Sequence, residues 1–410
     1  MNTNFNGSDN LDALNPLNQF NNYLDKEIKD MQPMNIINIG KTGVGKSTLI
    51  NAIFNKNLAL TGIGKPITQH FQSYSIPDSP ITIYDSKGLE TSFRNNEDIY
   101  KEICNKIDDL NFSNNIKNYI HICWYCLLDD GNRLDQNEIN IIKEIRQEKI
   151  PVIIVITQAI GGNRTNAFIS EIKKEFSSPI DIIPIMAIPK TEESEYGQTN
   201  IKSHGLNNLV EKSYSLVDES IKKTFAAYQA ISIELKRKYA FKVCTACSAA
   251  VAAASFQPLP IADTPIMTAI QISMMAKITS CFGINSSNIN YKNIIASLGG
   301  PFAAAIIGRT AVSFLKSIPG VGTIIGGAIN AGTGATITFA LGRIYIETLS
   351  SMAKDNTRLD NPDSLSYALN KAASNVNLKE MKKEYEINKN KYSNSDTEAK
   401  QILAEAKKKI

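Results

Sequence analysis

The 410-residue sequence predicts an α/β domain built on a mostly parallel, doubly wound sheet, followed by an all-α, charge-poor helical domain and a charged helical tail. Three observations carry that reading. Between Met34 and about Gly205, apolar β-branched runs alternate with amphipathic stretches, the pattern of parallel strands covered by helices. Residues 243–262 and 317–342 contain no charged side chain at all. Residues 352–410 then carry 12 Lys/Arg and 9 Asp/Glu with few large apolar groups, which marks a solvated, helix-patterned end.

The predicted strands are 34–39 (MNIINI), 69–76 (QHFQSYSI), 80–85 (PITIYD), 117–127 (NYIHICWYCLL), 151–157 (PVIIVIT) and 180–186 (IDIIPIM). Helices are expected between them at about 46–55, 96–110, 135–148 and 165–176. The Glu-, Ser-, Gly- and Thr-rich stretch 191–204 reads as a loop, and 206–239 as one or two helices leaving the domain. From 240 to 350 the composition shifts to Ala, Gly, Ile, Ser and Thr, with Pro258, Pro260, Pro265, Pro301 and Pro319 cutting the run into helices. The resulting division is an N-terminal arm and short helix at 1–33, an α/β domain at 34–205, a helical hydrophobic domain at 206–350 and the tail at 351–410. The short helix around 16–31 is expected to pack against the α/β domain.

A net charge of +4 is too small for a protein that coats nucleic acid, and no basic patch gives a direct nucleic-acid signal. Six cysteines do not make a disulfide scaffold, and the first residues show neither a basic nor an apolar leader segment. The expected compartment is the cytoplasm.

The first strand runs into Gly40-Lys41-Thr42-Gly43-Val44-Gly45-Lys46-Ser47, a full G-x-x-x-x-G-K-S pattern, and then into the helical sequence from Thr48. Strand before and helix after are the context of a phosphate-binding loop, which makes the domain a P-loop NTPase. Glycines let successive N–H groups face the phosphates, and the helix N-terminus adds partial positive charge. Lys46 is expected to reach the β- and γ-phosphates and Ser47 to ligate Mg²⁺. The strand ending at Asp85 continues into Ser86-Lys87-Gly88, a D-x-x-G that holds Mg²⁺ through water and places the Gly88 N–H on the γ-phosphate. In the intervening loop Thr68 is the expected switch threonine on Mg²⁺, with Thr61 the competitor. The catalytic set is therefore Lys46, Thr68 and Gly88, and the metal set Ser47, Thr68 and Asp85.

These residues carry a resemblance. GKTGVGKS, the Thr68 loop and DSKG resemble the guanine-nucleotide domain of translation-factor-related P-loop GTPases, and the loop form is similar to that of septins, immunity-associated GTPases and chloroplast import receptors. The pairing with an Ala/Gly-rich second half, carried by PLPIADTPIMTAIQISMMAKI and LKSIPGVGTIIGG, resembles bacterial ribosome-binding-type G domains fused to a helical domain of unknown function. The resemblance implies GTP/GDP and Mg²⁺ as ligands. It also implies a base site at Thr157, Gln158, Met186 and Ala187, the last two resembling the S-A element whose backbone N–H meets the base O6. Partners it implies are guanine nucleotide, a second G domain or an activating protein.

Two positions depart from that family pattern. After PVIIVIT the sequence continues Gln158-Ala159-Ile160, so Ile160 stands where a guanine-specific site has Asp, leaving guanine favoured over ATP or relaxed specificity on the phosphate-side motifs alone. Leu89 follows Gly88 where Ras-like enzymes place the glutamine that orients water, so intrinsic hydrolysis is expected to be slow and partner-assisted. Gly43 replaces the Asn of potassium-activated relatives. Glu90, Arg94 and Arg133 read more readily as solvated surface residues than as auxiliaries.

Two C-x-x-C pairs, Cys123/Cys126 and Cys244/Cys247, suggest zinc, but residues three apart on a strand point to opposite faces and the second pair has no further ligand nearby. Buried small cysteines are the plainer reading. His70, His121 and His204 show no ligand spacing. The 240–350 region reads either as a tightly packed soluble domain or as a segment that associates with membrane lipid, the latter supported by the length of 317–342 and by Gly322-x-x-x-Gly326. Function is expected to be that of a slow GTPase switch controlling the helical domain. The alternative is a nucleotide-regulated membrane or protein-interaction module in which hydrolysis is incidental.

Overall fold

The computed structural model describes residues 16–55, 65–66, 71–86, 105, 119–129, 134–194, 197–254, 264–284, 331–355, 362–374, 377–392 and 395–408. Two compact units emerge: Met31–Ser232, and the described residues of Met1–Asp30 together with those of Ile233–Ile410.

The first unit is built on a seven-stranded sheet. Its strands are β1 (Met34–Ile39), β2 (Lys65–Pro66), β3 (Phe71–Ser75), β4 (Ile81–Ser86), β5 (Ile122–Leu128), β6 (Val152–Thr157) and β7 (Asp181–Pro184), in the order β2-β3-β4-β1-β5-β6-β7. Every pairing from β4 through β7 is parallel, while β2 and β3 form an antiparallel edge. β6 is buried along its whole length, which is why it reads as an apolar run up to Thr157 in place of an alternating one, and β1 is as fully buried although Asn35 and Asn38 interrupt its isoleucines. The helices of this unit are α2 (Lys46–Phe54), α3 (Gln136–Gln147), α4 (Gly162–Lys174), α5 (Leu206–Leu216) and α6 (Glu219–Tyr228). α3 starts on a capping box in which Asp135 accepts from Glu138 N and Glu138 accepts from Asp135 N.

Three expectations are corrected here. The stretch 191–204 is not simply a loop: β8 (Lys190–Ser194) and β9 (Gly197–Ile201) pair as an antiparallel ribbon. Its residues are polar on both faces, so no apolar alternation announced it. The segment 206–228 does not leave the unit, because Trp124 Nε1 on β5 donates to Ser213 Oγ on α5 at 3.0 Å and Leu209, Val210 and Phe225 are fully buried. The helix α1 (Pro16–Lys29) packs elsewhere altogether: Phe20, Tyr23 and Leu24 belong to the core of the second unit. Tertiary burial of its apolar stripe against a distant partner decides its place, and local sequence says nothing about that partner. The expected helix at 96–110 lies outside the described residues except for Asn105.

The second unit adds α7 (Ile233–Ala254), α8 (Thr264–Cys281), α9 (Ala331–Lys354), α10 (Pro362–Ser374), α11 (Leu378–Lys391) and α12 (Ser395–Lys407). Small residues let α7 and α9 approach closely; a Cβ at Gly342 would meet Cys244 Sγ at 2.4 Å and Met274 Sδ at 3.0 Å. Arg237 on α7 holds Glu347 on α9 in a two-pronged pair at 2.7 and 2.8 Å. The charged tail is helical as expected, yet it is more than a solvated appendage: Tyr385 on α11 packs on Phe339, and Ala399, Ile402 and Ala406 on α12 join the same core. Among the described residues no helix is long and apolar enough to cross a membrane. Residues 285–330, with Gly322 and Gly326, lie outside the described residues.

Candidate functional site

The carboxyl ends of β1, β4, β5 and β6 converge where the chain order reverses about β1, the position at which open α/β sheets bind ligands. β1 hands the chain to the loop 40–45, which enters α2 through Gly45 in the left-handed region at φ 98°. Only glycine takes that conformation without cost. At Gly40 a Cβ would lie 2.4 Å from the Cys126 carbonyl oxygen, so the loop hugs the end of β5. Thr157 Oγ1 at the end of β6 ties the loop from the other side, bonding the Val44 carbonyl and the Leu127 carbonyl, the latter at 3.0 Å.

Lys46 is buried and donates to the carbonyls of Gly40 at 2.7 Å and Lys41 at 3.0 Å. Asp85, equally buried at the end of β4, accepts from Asn38 Nδ2 at 3.4 Å. Burial pushes the Lys46 ammonium down, against the attraction of Asp85. Burial also pushes Asp85 up to about 6, against Lys46 and the Asn38 bond. For both partners desolvation outweighs their mutual attraction, so the pair suits an anion beside Lys46 and a cation beside Asp85. Asn38 was not anticipated from sequence; it sits opposite Asp85 in the β1–β4 register and also accepts from Cys126 Sγ at 3.3 Å. Lys41 leans away, paired with Asp135 at 3.0 Å and Glu138 at 3.2 Å at the start of α3. Thr42, Gly43, Ser47 and Thr48 lie in the same loop and helix turn.

Beside the loop is a cavity of about 230 Å³ lined by Gly45, Thr48, Thr157, Gln158, Ile185, Met186, Ala187, Ile188, Pro189 and Lys190. The structure thus brings Thr157, Gln158, Met186 and Ala187 together around one space. Gln158 is held at φ 53°, a conformation unusual for a side-chain-bearing residue. Met186 N donates to His204 O at 3.1 Å and His204 N returns the bond at 3.0 Å. The His204 ring also meets the Ala159 carbonyl at 3.0 Å, so one histidine links the segments after β6 and β7. Ile160 is 45% exposed and its N–H bonds Asp129 Oδ2 at 3.2 Å. Thr68, Gly88, Leu89, Glu90, Arg94 and Arg133 lie outside the described residues.

Cys123 and Cys126 have different surroundings: the first lies in the apolar cluster with Ile37 and Ile39, the second against Asn38. Cys244 and Cys247 sit within the helical core. Each of these thiols is pushed up by burial, which suits inert packing groups.

Fold and site together define a P-loop protein with a nucleotide-binding G domain. Residues 35–158 match the family described as 50S ribosome-binding GTPase, and residues 222–374 match a domain of unknown function, DUF697, so a G domain of that kind is followed by a DUF697 domain. It is 29% identical over 182 residues to Septin-11 of Homo sapiens, covering 39% of this chain and 42% of the septin. It is 33% identical over 99 residues to Magnetosome membrane protein 22 of Magnetospirillum gryphiswaldense, covering 24% of this chain and 51% of that protein. These curated relatives are therefore matched over about half of their length or less. Among solved structures, a probable GTP-binding protein engB aligns with a TM-score of 0.32 at 20% identity, covering 44% of this chain and 97% of that one.

Proposed function

We propose that the protein is a Mg²⁺-dependent GTPase switch of low intrinsic rate whose nucleotide state controls its helical unit. The observation that carries this reading is the glycine loop between β1 and α2, with Lys46 folded back onto the Gly40 and Lys41 carbonyls and Lys46 and Asp85 both buried at the carboxyl edge of the sheet. Phosphate oxygens beside Lys46 and the N–H groups of the glycine loop answer the first charge, and a divalent cation answers the second. Ser47, Thr68 and Asp85 are the proposed metal holders, and Gly40 through Thr48 the phosphate cradle. Mg²⁺ supplies charge neutralisation on the β- and γ-phosphates. Gly88 is the proposed γ-phosphate sensor, and loss of that phosphate would release the loops carrying Thr68 and Gly88.

Leu89 after Gly88 offers no group to orient water, which supports slow turnover that a second G domain or another protein accelerates. At the base end, Met186 N–H is committed to His204, so Ala187 is the member of that pair left to meet the base.

Calorimetry of the full chain with GTP, GDP and ATP in Mg²⁺ tests the reading. Guanine nucleotides should bind in the micromolar range, and Lys46→Ala should weaken them by on the order of 100-fold, since it removes a charge-assisted contact to phosphate from a desolvated site. A flat GTP titration overturns the proposal. Multiple-turnover phosphate release separates switch from scaffold: release at background with GTP bound assigns the protein to the interaction-module alternative. Flotation with anionic vesicles tests the lipid association proposed for 240–350.

A further inference from the structure

The phosphate loop is fastened to the sheet at two points: Thr157 Oγ1 on β6 bonds the Val44 carbonyl, and Gly40 lies against the Cys126 carbonyl on β5. A further fastening comes from the start of α3, through Lys41. In the capping box there, Asp135 Oδ1 accepts from Glu138 N at 2.9 Å and Glu138 Oε2 accepts from Asp135 N at 3.1 Å, so each carboxylate spends one oxygen on the helix. The two spare oxygens converge on one ammonium. Lys41 Nζ stands 3.0 Å from Asp135 Oδ2 and 3.2 Å from Glu138 Oε1.

Burial decides what this contact is worth. An ion pair between solvated side chains contributes little. Asp135 and Lys41 are 45% and 38% exposed, but the Glu138 side chain is only 4% exposed, so Lys41 answers a buried carboxylate that would be costly to leave alone. Burial pushes the Glu138 carboxyl up, with the Asp135 N–H and Lys41 working against that shift. The backbone of Lys41 is engaged as well. Its carbonyl accepts from Lys46 Nζ at 3.0 Å and from Val44 N at 3.5 Å. One residue therefore joins α3, by its side chain, to the lysine proposed to face the phosphates, by its carbonyl. A loop containing Gly40, Gly43 and Gly45 has backbone freedom to lose when it closes on a ligand, and a clamp that has already removed part of it lowers that cost.

Resting on the nucleotide-binding reading above, we propose that Lys41 is a positioning residue: its side chain clamps the phosphate loop to the α3 capping box and raises nucleotide affinity by pre-ordering the loop and Lys46, while its ammonium stays off the phosphates.

Two substitutions release the clamp and spare the helix start. Glu138→Gln keeps an oxygen to accept from Asp135 N, and Lys41→Met leaves the capping box untouched. In calorimetry of the full chain with Mg²⁺ and GDP, each should weaken binding by about fivefold, and the double variant by about fivefold in place of about 25-fold, since both remove one shared contact. Thermal melts followed by Trp124, which is buried in the sheet unit, separate positioning from stability. Lys41→Met strands the Glu138 charge and should lower that transition, whereas the double variant strands none and should melt close to the starting protein. Affinity that stays weak while the melting recovers is the expected signature. Lys41→Arg, which keeps the ion pair, should regain most of what Lys41→Met loses. Affinity that recovers together with melting in the double variant overturns the proposal, because a contact serving stability alone behaves that way. Tighter GDP binding by Glu138→Gln overturns it too, because a lysine acting directly on phosphate gains from losing a competing carboxylate. If all variants bind GDP as the unsubstituted chain does, the clamp falls and the nucleotide reading stands. If the unsubstituted chain binds no GDP, both fall.

Discussion

Replacing Glu27 by Gln tests whether α1 is a structural part of the helical unit. Glu27 pairs with Lys277 on α8, and the two side chains are only 14% and 19% exposed. The pairing raises the Lys277 pKa despite the burial that works against its charge, with Glu405 adding attraction. Gln keeps the size and an acceptor but removes the counter-charge, leaving an ammonium largely desolvated. Breaking a buried pair costs about 3–5 kcal/mol; residual solvent access and Glu405 reduce this to about 2 kcal/mol here. That corresponds to a fall of about 6 °C in the melting of a unit this size. Trp124 is the sole tryptophan and is buried in the sheet unit, so its emission follows that unit, while far-ultraviolet circular dichroism is weighted to helices. The Glu27→Gln chain should show a lowered dichroism transition and an unshifted Trp124 transition. The double replacement Glu27→Leu with Lys277→Met should return to within about 1 kcal/mol of the starting protein, since an apolar pair avoids the desolvation altogether. An unmoved dichroism transition, or a double variant as unstable as the single one, would refute the reasoning.

Two further outcomes follow from single residues. Lys236 is pushed down to about 7 by burial from 10.5, so the folded chain binds fewer protons than the unfolded one between those values, and helical-unit stability should rise with pH from about 7 upward. Lys236→Met should flatten that slope, whose limit is about 1.4 kcal/mol per pH unit, in melts followed by dichroism; an unchanged slope assigns it to another group. At Gly205, held at φ +80°, a Cβ would lie 2.2 Å from the Pro184 carbonyl oxygen and 2.7 Å from Ile185 Cγ2. Gly205→Ala should therefore cost about 2–3 kcal/mol by the Trp124 transition and weaken GDP binding through the displaced His204–Met186 bridge, while Ser170→Ala, on the exposed face of α4, leaves both nearly unchanged.

The sheet was legible because β5 and β6 are buried on both faces and read as apolar runs, while β1 keeps its isoleucines around two Asn and β4 alternates buried and half-buried residues up to Asp85. The glycine loop was legible because its chemistry demands particular residue types at fixed spacing. Thr157, Gln158, Met186 and Ala187 could be named only through the family resemblance, which places a base site after two apolar strands. Asn38 could not, since an Asn inside a buried strand signals only an exception to apolarity, and its role depends on a register that sets it opposite Asp85. The ribbon β8–β9 is polar along almost all of its sequence and so offered no apolar alternation to read. The partner of α1 was invisible for a different reason: Glu27 and Lys277 lie 250 residues apart, and nothing local to either encodes the other.

Within the sheet unit, Thr224 Oγ1 donates to the Gln32 carbonyl at 2.7 Å, and Ala230 N donates to the Ile53 carbonyl at the same length. Once this unit has folded, the points where the chain enters and leaves it are held near one another. The closure that brings α1 to α7 and α8 is then no longer that of a flexible loop of about 200 residues, whose ordering entropy is on the order of 5 kcal/mol, but that of two short connectors. Folding of the nucleotide-binding unit thereby lowers the entropic barrier to completing the helical one.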